Sequence, residues 1–557
     1  MKQMETTNND TAKVTTPLPS EGLGEASEGQ GEAVGGSLPF YPWMPKPLGI
    51  LVFLVLYMSP VFSSGMNLSL SPDIVGDLGW ITEDVQMAYF STAIGICVFP
   101  PLMLKYLTTH RLKQTLIIGL LLMIAGNLCV ITTHWAPALC AVCLMMGCLR
   151  VMMLVSLTFA VGPYLMNVDV IAMFTKEPPP MTSDEMKEAS HGKAVLMLML
   201  YLIILVYAYL SNWLYAWVAI EYSWRMSFAM VIGILLIGLL LVLTTMKTEE
   251  VKPDMKMDWG MALDTVLMMC ILIPLIFVLL FGKTLDWFWS PRIVFCIGLT
   301  LIATGLFFSR TLRSNYLNLR IFNYRNPLIA TFLFMMAMVC NTPASIIQSF
   351  AQLTTNINQE QWAALYLWAV LGILAGFAIG ILLGRVRTNY RYVFALGFLL
   401  MCACHVYMYF QYQTEGLYQN MRLPMVLTYA GLMLLYPLIA SYGMNRLPVR
   451  HFVGFVFIMI LMRNTFAPVL GVSLLTNKMQ ERQQYYNTRL VENVDTQNPN
   501  VQAIGGANAT TVPLLYMSKA RQSGIMAMRD ISGITIWVSA GMAAVCILLP
   551  FRKEDRT

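Results

Sequence analysis

Stretches of about twenty apolar residues recur along the chain from Leu48 to Leu549, and an α-helix needs a stretch of that length to cross the roughly 30 Å hydrocarbon core of a bilayer. Lipid offers no water to backbone N–H and C=O groups, so each stretch must satisfy them internally as a helix. The composition agrees: of 557 residues, 57% are hydrophobic and 12% charged, against about 45–50% and about 25% in soluble chains. Lipid is therefore the solvent for most of the surface. The runs follow one another too closely to leave room for a large soluble domain.

Runs bounded by charged or turn-rich breaks predict about fourteen spans, near 47–66, 86–104, 114–133, 138–160, 195–218, 227–246, 260–281, 293–309, 327–345, 362–384, 393–410, 423–443, 453–475 and 531–550. A basic loop after the second span has a counterpart after the tenth, Gly384-Arg385-Val386-Arg387, if spans seven and eight are an insertion between two six-span units. The expected fold class is an all-α membrane protein with two six-helix halves plus two extra central spans. Its divisions are a disordered cytoplasmic tail at 1–46, an N-terminal half at 47–246, the inserted spans and linker at 247–325, a C-terminal half at 326–551 and a short tail at 552–557. Residues 1–40 are rich in Gly, Ser, Thr and Glu without apolar periodicity, too polar to bury a core.

Lysine and arginine concentrate in alternate loops: Lys105, Arg111 and Lys113; Arg310, Arg313, Arg320 and Arg325; Arg385, Arg387 and Arg391; Arg446 and Arg450. The first facing loop, around Asp73, Asp77, Glu83 and Asp84, has none. The positive-inside bias places both termini in the cytoplasm. Two loops are long. Residues 166–193 carry Pro178-Pro179-Pro180 and an acidic stretch expected as a short surface helix. The periplasmic loop 476–530 begins with Lys478 to Glu492, expected as a polar extension of span thirteen, before a mobile Asn/Gly/Thr-rich stretch.

All eleven cysteines fall within apolar runs and read as small buried hydrophobes. Cys402-Ala403-Cys404-His405 comes nearest to a metal pattern, yet consecutive helical residues point in different directions, so neither a metal nor a cofactor is expected. A net charge of +6 forms no nucleic-acid-binding stripe. No Gly-x-x-x-x-Gly-Lys-Ser/Thr loop supports ATP-driven transport, and no catalytic constellation is evident.

A charge deep in a span costs about 2.5–3.5 kcal/mol on insertion scales, so it marks function unless a structural partner explains it. Arg150 and Arg463 are the clearest cases, and Asp264 lies about one turn into span seven. Arg529 and Asp530 are expected to cap the start of the last span, and Glu221 to pair with Arg225 four residues on. Ser63, Asn67, Tyr89, Asn341, Gln348 and Tyr436 are candidate cavity-lining residues, with interhelical hydrogen bonding as their competing role.

Three stretches together resemble the fourteen-span drug:proton antiporters of the major facilitator superfamily, the EmrB/QacA-like family. They are Ser71-Pro72-Asp73-Ile74-Val75-Gly76-Asp77-Leu78-Gly79 after span one, Ser223-Trp224-Arg225 at the start of span six, and Gly282-Lys283-Thr284-Leu285-Asp286-Trp287 with Asn318-Leu319-Arg320-Ile321-Phe322 around the central insertion. Arg150, Arg463 and Gln522-Ser523-Gly524 are further echoes. The departures are Ser63 where that family usually carries an acid, a loop at Lys105 to Lys113 that keeps its basic charge without the Gly and Asp, and Ser211-Asn212 and Tyr215-Ala216 in place of the Gly-Pro and Gly-Gly pairs of the antiporter motif.

The resemblance implies proton-driven efflux of amphipathic or hydrophobic small molecules across a bacterial inner membrane, with a periplasmic adaptor and an outer-membrane channel as partners. The departures admit a transporter of one metabolite or siderophore instead. A non-transporting scaffold or sensor working through the two long loops is the third reading.

Overall fold

In the computed structural model, the described residues are 40–551 apart from 42, 64, 101–111, 167–182, 249–258, 312–318, 344–358, 414–417, 446, 493–498, 504–510 and 550. Of the expected tail at 1–46, residues 1–39 and 42 lie outside them, as do the tail at 552–557 and most of the stretch at 493–510. The chain folds almost wholly as helices: α1 (Lys46–Phe62), α2 (Ser71–Leu78), α3 (Thr82–Val98), α4 (Leu112–Thr132), α5 (Ala136–Met166), α6 (Ser183–Glu221), α7 (Trp224–Thr245), α8 (Trp259–Phe281) and α9 (Pro291–Thr311). There follow α10 (Arg325–Asn341), α11 (Gln359–Arg385), α12 (Tyr390–Gln411), α13 (Arg422–Met444), α14 (Val449–Leu461), a π turn (Met462–Phe466), α15 (Ala467–Glu492), α16 (Pro499–Ala503) and α17 (Thr511–Leu548).

Among the described residues eleven helical segments are long and apolar enough to cross a membrane, and the protein is an integral, multi-pass membrane protein. They are α4 to α9, α11 to α13, the run through α14 and α15, and α17. The other three expected spans coincide with α1, α3 and α10, which have 17 residues each, about 25 Å of helix.

Local chemistry sets several ends. Ser223 accepts from the Met226 amide at the start of α7 and Asn389 from the Arg391 amide at the start of α12, each satisfying a donor the helix leaves free. Gly79, at φ 65°, closes α2 in a left-handed turn. Lys113 donates to the carbonyls of Leu243 and Met246, covering the C-terminal end of α7.

Two elements, α6 and α17, extend beyond expectation, and the polar extension of span thirteen runs as expected. The acidic segment at 184–188 belongs to the 39-residue α6 rather than to a separate surface helix. Lys478 to Glu492 is helical and continuous with α15. The last helix starts at Thr511, twenty residues before its apolar run. Asp530 is therefore not a capping residue: it accepts from Tyr486 Oη at 2.8 Å and faces Arg482 at 3.8 Å, joining α15 to α17, while Arg529 stacks over Tyr409 at 4.6 Å.

Two hydrophobic clusters hold the helices. One is drawn from α1 to α7, the other mainly from α8 to α17, and α3 and α6 serve both. On α3, Val85 and Ala88 face the first cluster while Phe90, Ile94 and Cys97 face the second. Helix α13 is the most enclosed of the candidate spans, packing on α6, α10, α11, α12 and α14.

Close approach is enforced by glycine where α3 crosses α5. A Cβ on Gly147 would lie 2.1 Å from the Thr92 carbonyl oxygen, and one on Gly95 2.2 Å from that of Leu144. The two backbones touch, which sets Tyr89 on α3 in register with Arg150 on α5.

Segments expected on one face of the membrane meet. Lys283 and Thr284, in the turn between α8 and α9, donate to Gln480 on α15 and to Glu83 at the start of α3. The Tyr41 amide bonds to the Thr245 carbonyl near Lys113.

Candidate functional site

Arg150 lies in α5 and Arg463 in the π turn, more than three hundred residues apart, yet both come within electrostatic reach of each other and of Tyr89 on α3. A π turn accommodates one extra residue, widening the helix and re-aiming side chains, and such turns are frequent at functional sites. Helix α3 braces this one: Cys97 Sγ lies 3.0 Å from Thr465 Oγ1 and 3.4 Å from the Ile460 carbonyl, to which it donates.

The Arg463 guanidinium lies over two tyrosine rings, 4.9 Å from the centroid of Tyr201 on α6 and 5.6 Å from that of Tyr436 on α13. A desolvated contact of this kind contributes about 2 kcal/mol. Tyr436 is held in place: its hydroxyl donates to Met338 Sδ at 2.6 Å and its ring packs 5.1 Å from that of Phe334. Beside it Tyr209 of α6 meets Tyr429 edge-on at 4.4 Å and Tyr366 of α11 at 6.5 Å. Tyr215 is fully buried near Arg150, donating to the Phe62 carbonyl of α1 at 3.0 Å.

Among the described residues neither Arg150 nor Arg463 has a carboxylate within salt-bridge distance. Two guanidinium charges thus share a region of low dielectric with aromatic faces and no fixed counter-ion. Tyr89 keeps 36% of its surface accessible and Arg150 is half-buried.

Asp264 falls outside this centre. It is 1% exposed and its Oδ1 accepts from Arg310 Nε at 2.9 Å, tying α8 to α9 near their shared end. Ser63 accepts from Asn127 Nδ2 at 2.7 Å, and Asn67 donates to Asn212 Oδ1 at 3.0 Å while its own oxygen caps Ser69, so both have interhelical partners. Asn341 ends α10 with its side-chain oxygen buried and without a hydrogen-bond partner among the described residues. Gln348 lies outside the described residues. The side chains of Cys402, Cys404 and His405 diverge to the Ile536 carbonyl, Thr428 and the Cys340 carbonyl.

Sequence reading missed Tyr201, Tyr209, Tyr366 and Tyr429. A signal existed for one of them, since Tyr429 and Tyr436 are seven apart and therefore share a face of α13. A separate cleft of about 590 Å³ lies between α3, α8 and α9, lined by Met87, Ile273, Phe277, Phe295 and Leu299 with Arg292. It is almost wholly apolar and contains neither central arginine, so it lacks the converging polar groups that orient a solute.

Membrane-crossing helices distant along the chain thus bring two arginines and a group of tyrosines to one centre. Solved transporters share the fold over most of their length. A peptide transporter POT in complex with sulfate superposes with a TM-score of 0.55 at 14% identity, covering 92% of this chain and 96% of its own. A mutant of the nucleoside transporter NupG does so at 0.51 and 12%, covering 90% and 100%. A POT family transporter in complex with 5-aminolevulinic acid gives 0.51 and 14%, covering 91% and 98%. What this chain shares with them is the fold. No protein-family model matches the sequence, and no curated protein does.

Proposed function

We propose that this chain is a secondary transporter of the bacterial inner membrane that exports amphipathic or hydrophobic compounds by alternating access, with protons as the driving ion. The observation that carries this reading is that Arg463, seated over Tyr201 and Tyr436, comes within electrostatic reach of Arg150 and Tyr89 from the other end of the chain. In the proposed arrangement α1 and α3 to α7 form one half, α10 to α15 with α17 the other, and α8 and α9 are the inserted pair. The two hydrophobic clusters and the 17-residue helices α1, α3 and α10 support a count of fourteen spans. Each half then supplies one arginine, and rocking about the solute exposes it to one side at a time. Both termini are assigned to the cytoplasm, with a periplasmic adaptor and outer-membrane channel as partners for the α15 to α17 extensions.

One observation favours the narrower reading, a carrier for a single metabolite or siderophore. Where the antiporter motif has small residues that let helices approach, this chain has Tyr215, whose hydroxyl bonds across to α1. Solved neighbours titled as peptide and nucleoside transporters are compatible with a specific solute.

Accumulation of a fluorescent dye in cells with and without the protein tests the proposal. Lower accumulation with the protein, abolished by a protonophore and by R150Q, is the expected result. Uptake of one solute instead supports the second reading. Flux in neither direction would leave only a scaffold or sensor role.

A further inference from the structure

We infer that the solute taken at this centre is an amphipathic anion: a carboxylate, sulfonate or phosphate ester attached to a flat apolar body. The inference deepens the transporter reading and rests on it.

The charge argument comes first. Arg150 and Arg463 repel one another in a setting poor in water, and no carboxylate among the described residues lies within salt-bridge distance of either. Acids on the neighbouring elements have partners of their own. Asp264 is bound to Arg310, Asp77 to Arg225, Asp530 to Tyr486, and Asp84 accepts from the Ile81 amide at the outer end of α3. A bound anion would supply the missing counter-charge, and guanidinium groups present the planar donor pairs that grip carboxylate, sulfonate and phosphate oxygens. A cationic solute would add a third positive charge.

The apolar part follows from the walls. Arg463 is held between Tyr201 and Tyr436, while Tyr209, Tyr366 and Tyr429 form a neighbouring aromatic surface. Tyr429 and Tyr436 are buried as backing, while Tyr201, Tyr209 and Tyr366 keep part of their ring surface accessible, an aromatic wall suited to a planar body rather than the water-like donors that a bare inorganic ion requires.

The test uses the purified full chain in detergent, with 2-naphthoate and its size-matched cation 2-naphthylmethylammonium as probes and sulfate as the bare anion. The melting midpoint is read against probe concentration. The expected result is stabilisation by 2-naphthoate alone, with apparent affinity reduced roughly tenfold or more in R150Q and R463Q, because an ionic bidentate contact is lost. R150K and R463K, which keep the charge, should lose only about three- to tenfold, since a point charge replaces the planar fork.

Equal or greater stabilisation by the cation, by sulfate, or by no probe at all would overturn the inference. So would binding of 2-naphthoate that is indifferent to all four variants. The lysine variants and the midpoint without probe distinguish a lost contact from a lost fold. Flux into proteoliposomes separates the two claims. Transport of the cation would leave a transporter with the wrong solute assigned, whereas anion binding without flux would overturn the transport reading instead.

Discussion

Asp77 and Arg225 form an ion pair of 2.8 Å that ties α2 to the first turn of α7. The same carboxylate oxygen accepts from the indole of Trp224 at 2.9 Å, and the Arg225 guanidinium lies over that indole at 4.8 Å. Sequence spacing had suggested Glu221 as the partner of Arg225. The helix breaks between them, α6 ending at Glu221 and α7 beginning at Trp224, so the i, i+4 geometry never forms. D77A should lower stability by about 1–2 kcal/mol, the scale of lost hydrogen bonds to a charged group at a partly exposed site. E221A should be close to neutral. Melting midpoints of the two variants decide the matter, and a larger loss in E221A would reject the assignment.

The α3–α5 crossing yields a second expectation. Gly147→Ala puts a methyl group 2.1 Å from a backbone oxygen that cannot rotate away, so the helices must separate. Gly233 has open space where its Cβ would go. G147A should therefore reduce both folded yield and transport, while G233A leaves both near wild type. Equal behaviour of the two variants would show that the crossing tolerates expansion.

Asp264 and Arg310 form a pair of unequal burial, the carboxylate 1% exposed and the arginine side chain 39%. Removing the arginine strands a buried charge, a change that costs about 3–5 kcal/mol when such a pair is broken. R310Q should thus be more damaging than D264N, and the double variant should recover much of the loss. If the pair is structural, the double variant also keeps protonophore-sensitive transport. Loss of coupling in a stably folded double variant would instead give Asp264 a role in the proton path.

Tyr436 should contribute through its ring more than through its hydroxyl. Y436F removes the bond to Met338 and keeps the face beneath Arg463, so transport should change by less than about threefold. Y436L removes the ring, and loss of a desolvated cation–π contact predicts a fall of about tenfold or more. Initial rates in proteoliposomes separate the two, and a larger defect in Y436F would assign the main effect to the hydroxyl.

Much of the helical framework was legible in the primary structure because one constraint dominates it. An apolar run of membrane length has to become a helix, and boundaries such as Ser223 and Asn389 carry their own capping chemistry. Helices that leave the apolar zone were harder to read. The first twenty residues of α17 mix apolar and polar types without a clean apolar run, and what organises them is packing against α15, including the contact of Tyr486 with Asp530. The site was legible only in part. Arg150 and Arg463 stood out because charge in lipid is costly, whereas Tyr201 and Tyr209 look like ordinary residues of an apolar helix until Arg463 is set against them.

Membrane residence, the helical state of each apolar run and the presence of two intramembrane charges follow from composition and periodicity alone, since solvation acts on each segment separately. The meeting of those charges does not. It depends on a π turn in one helix, a glycine crossing between two others and tyrosines from helices distant along the chain. Contacts between segments remote in sequence leave no periodic trace, so it took the assembled bundle to make two separate arginines into one site.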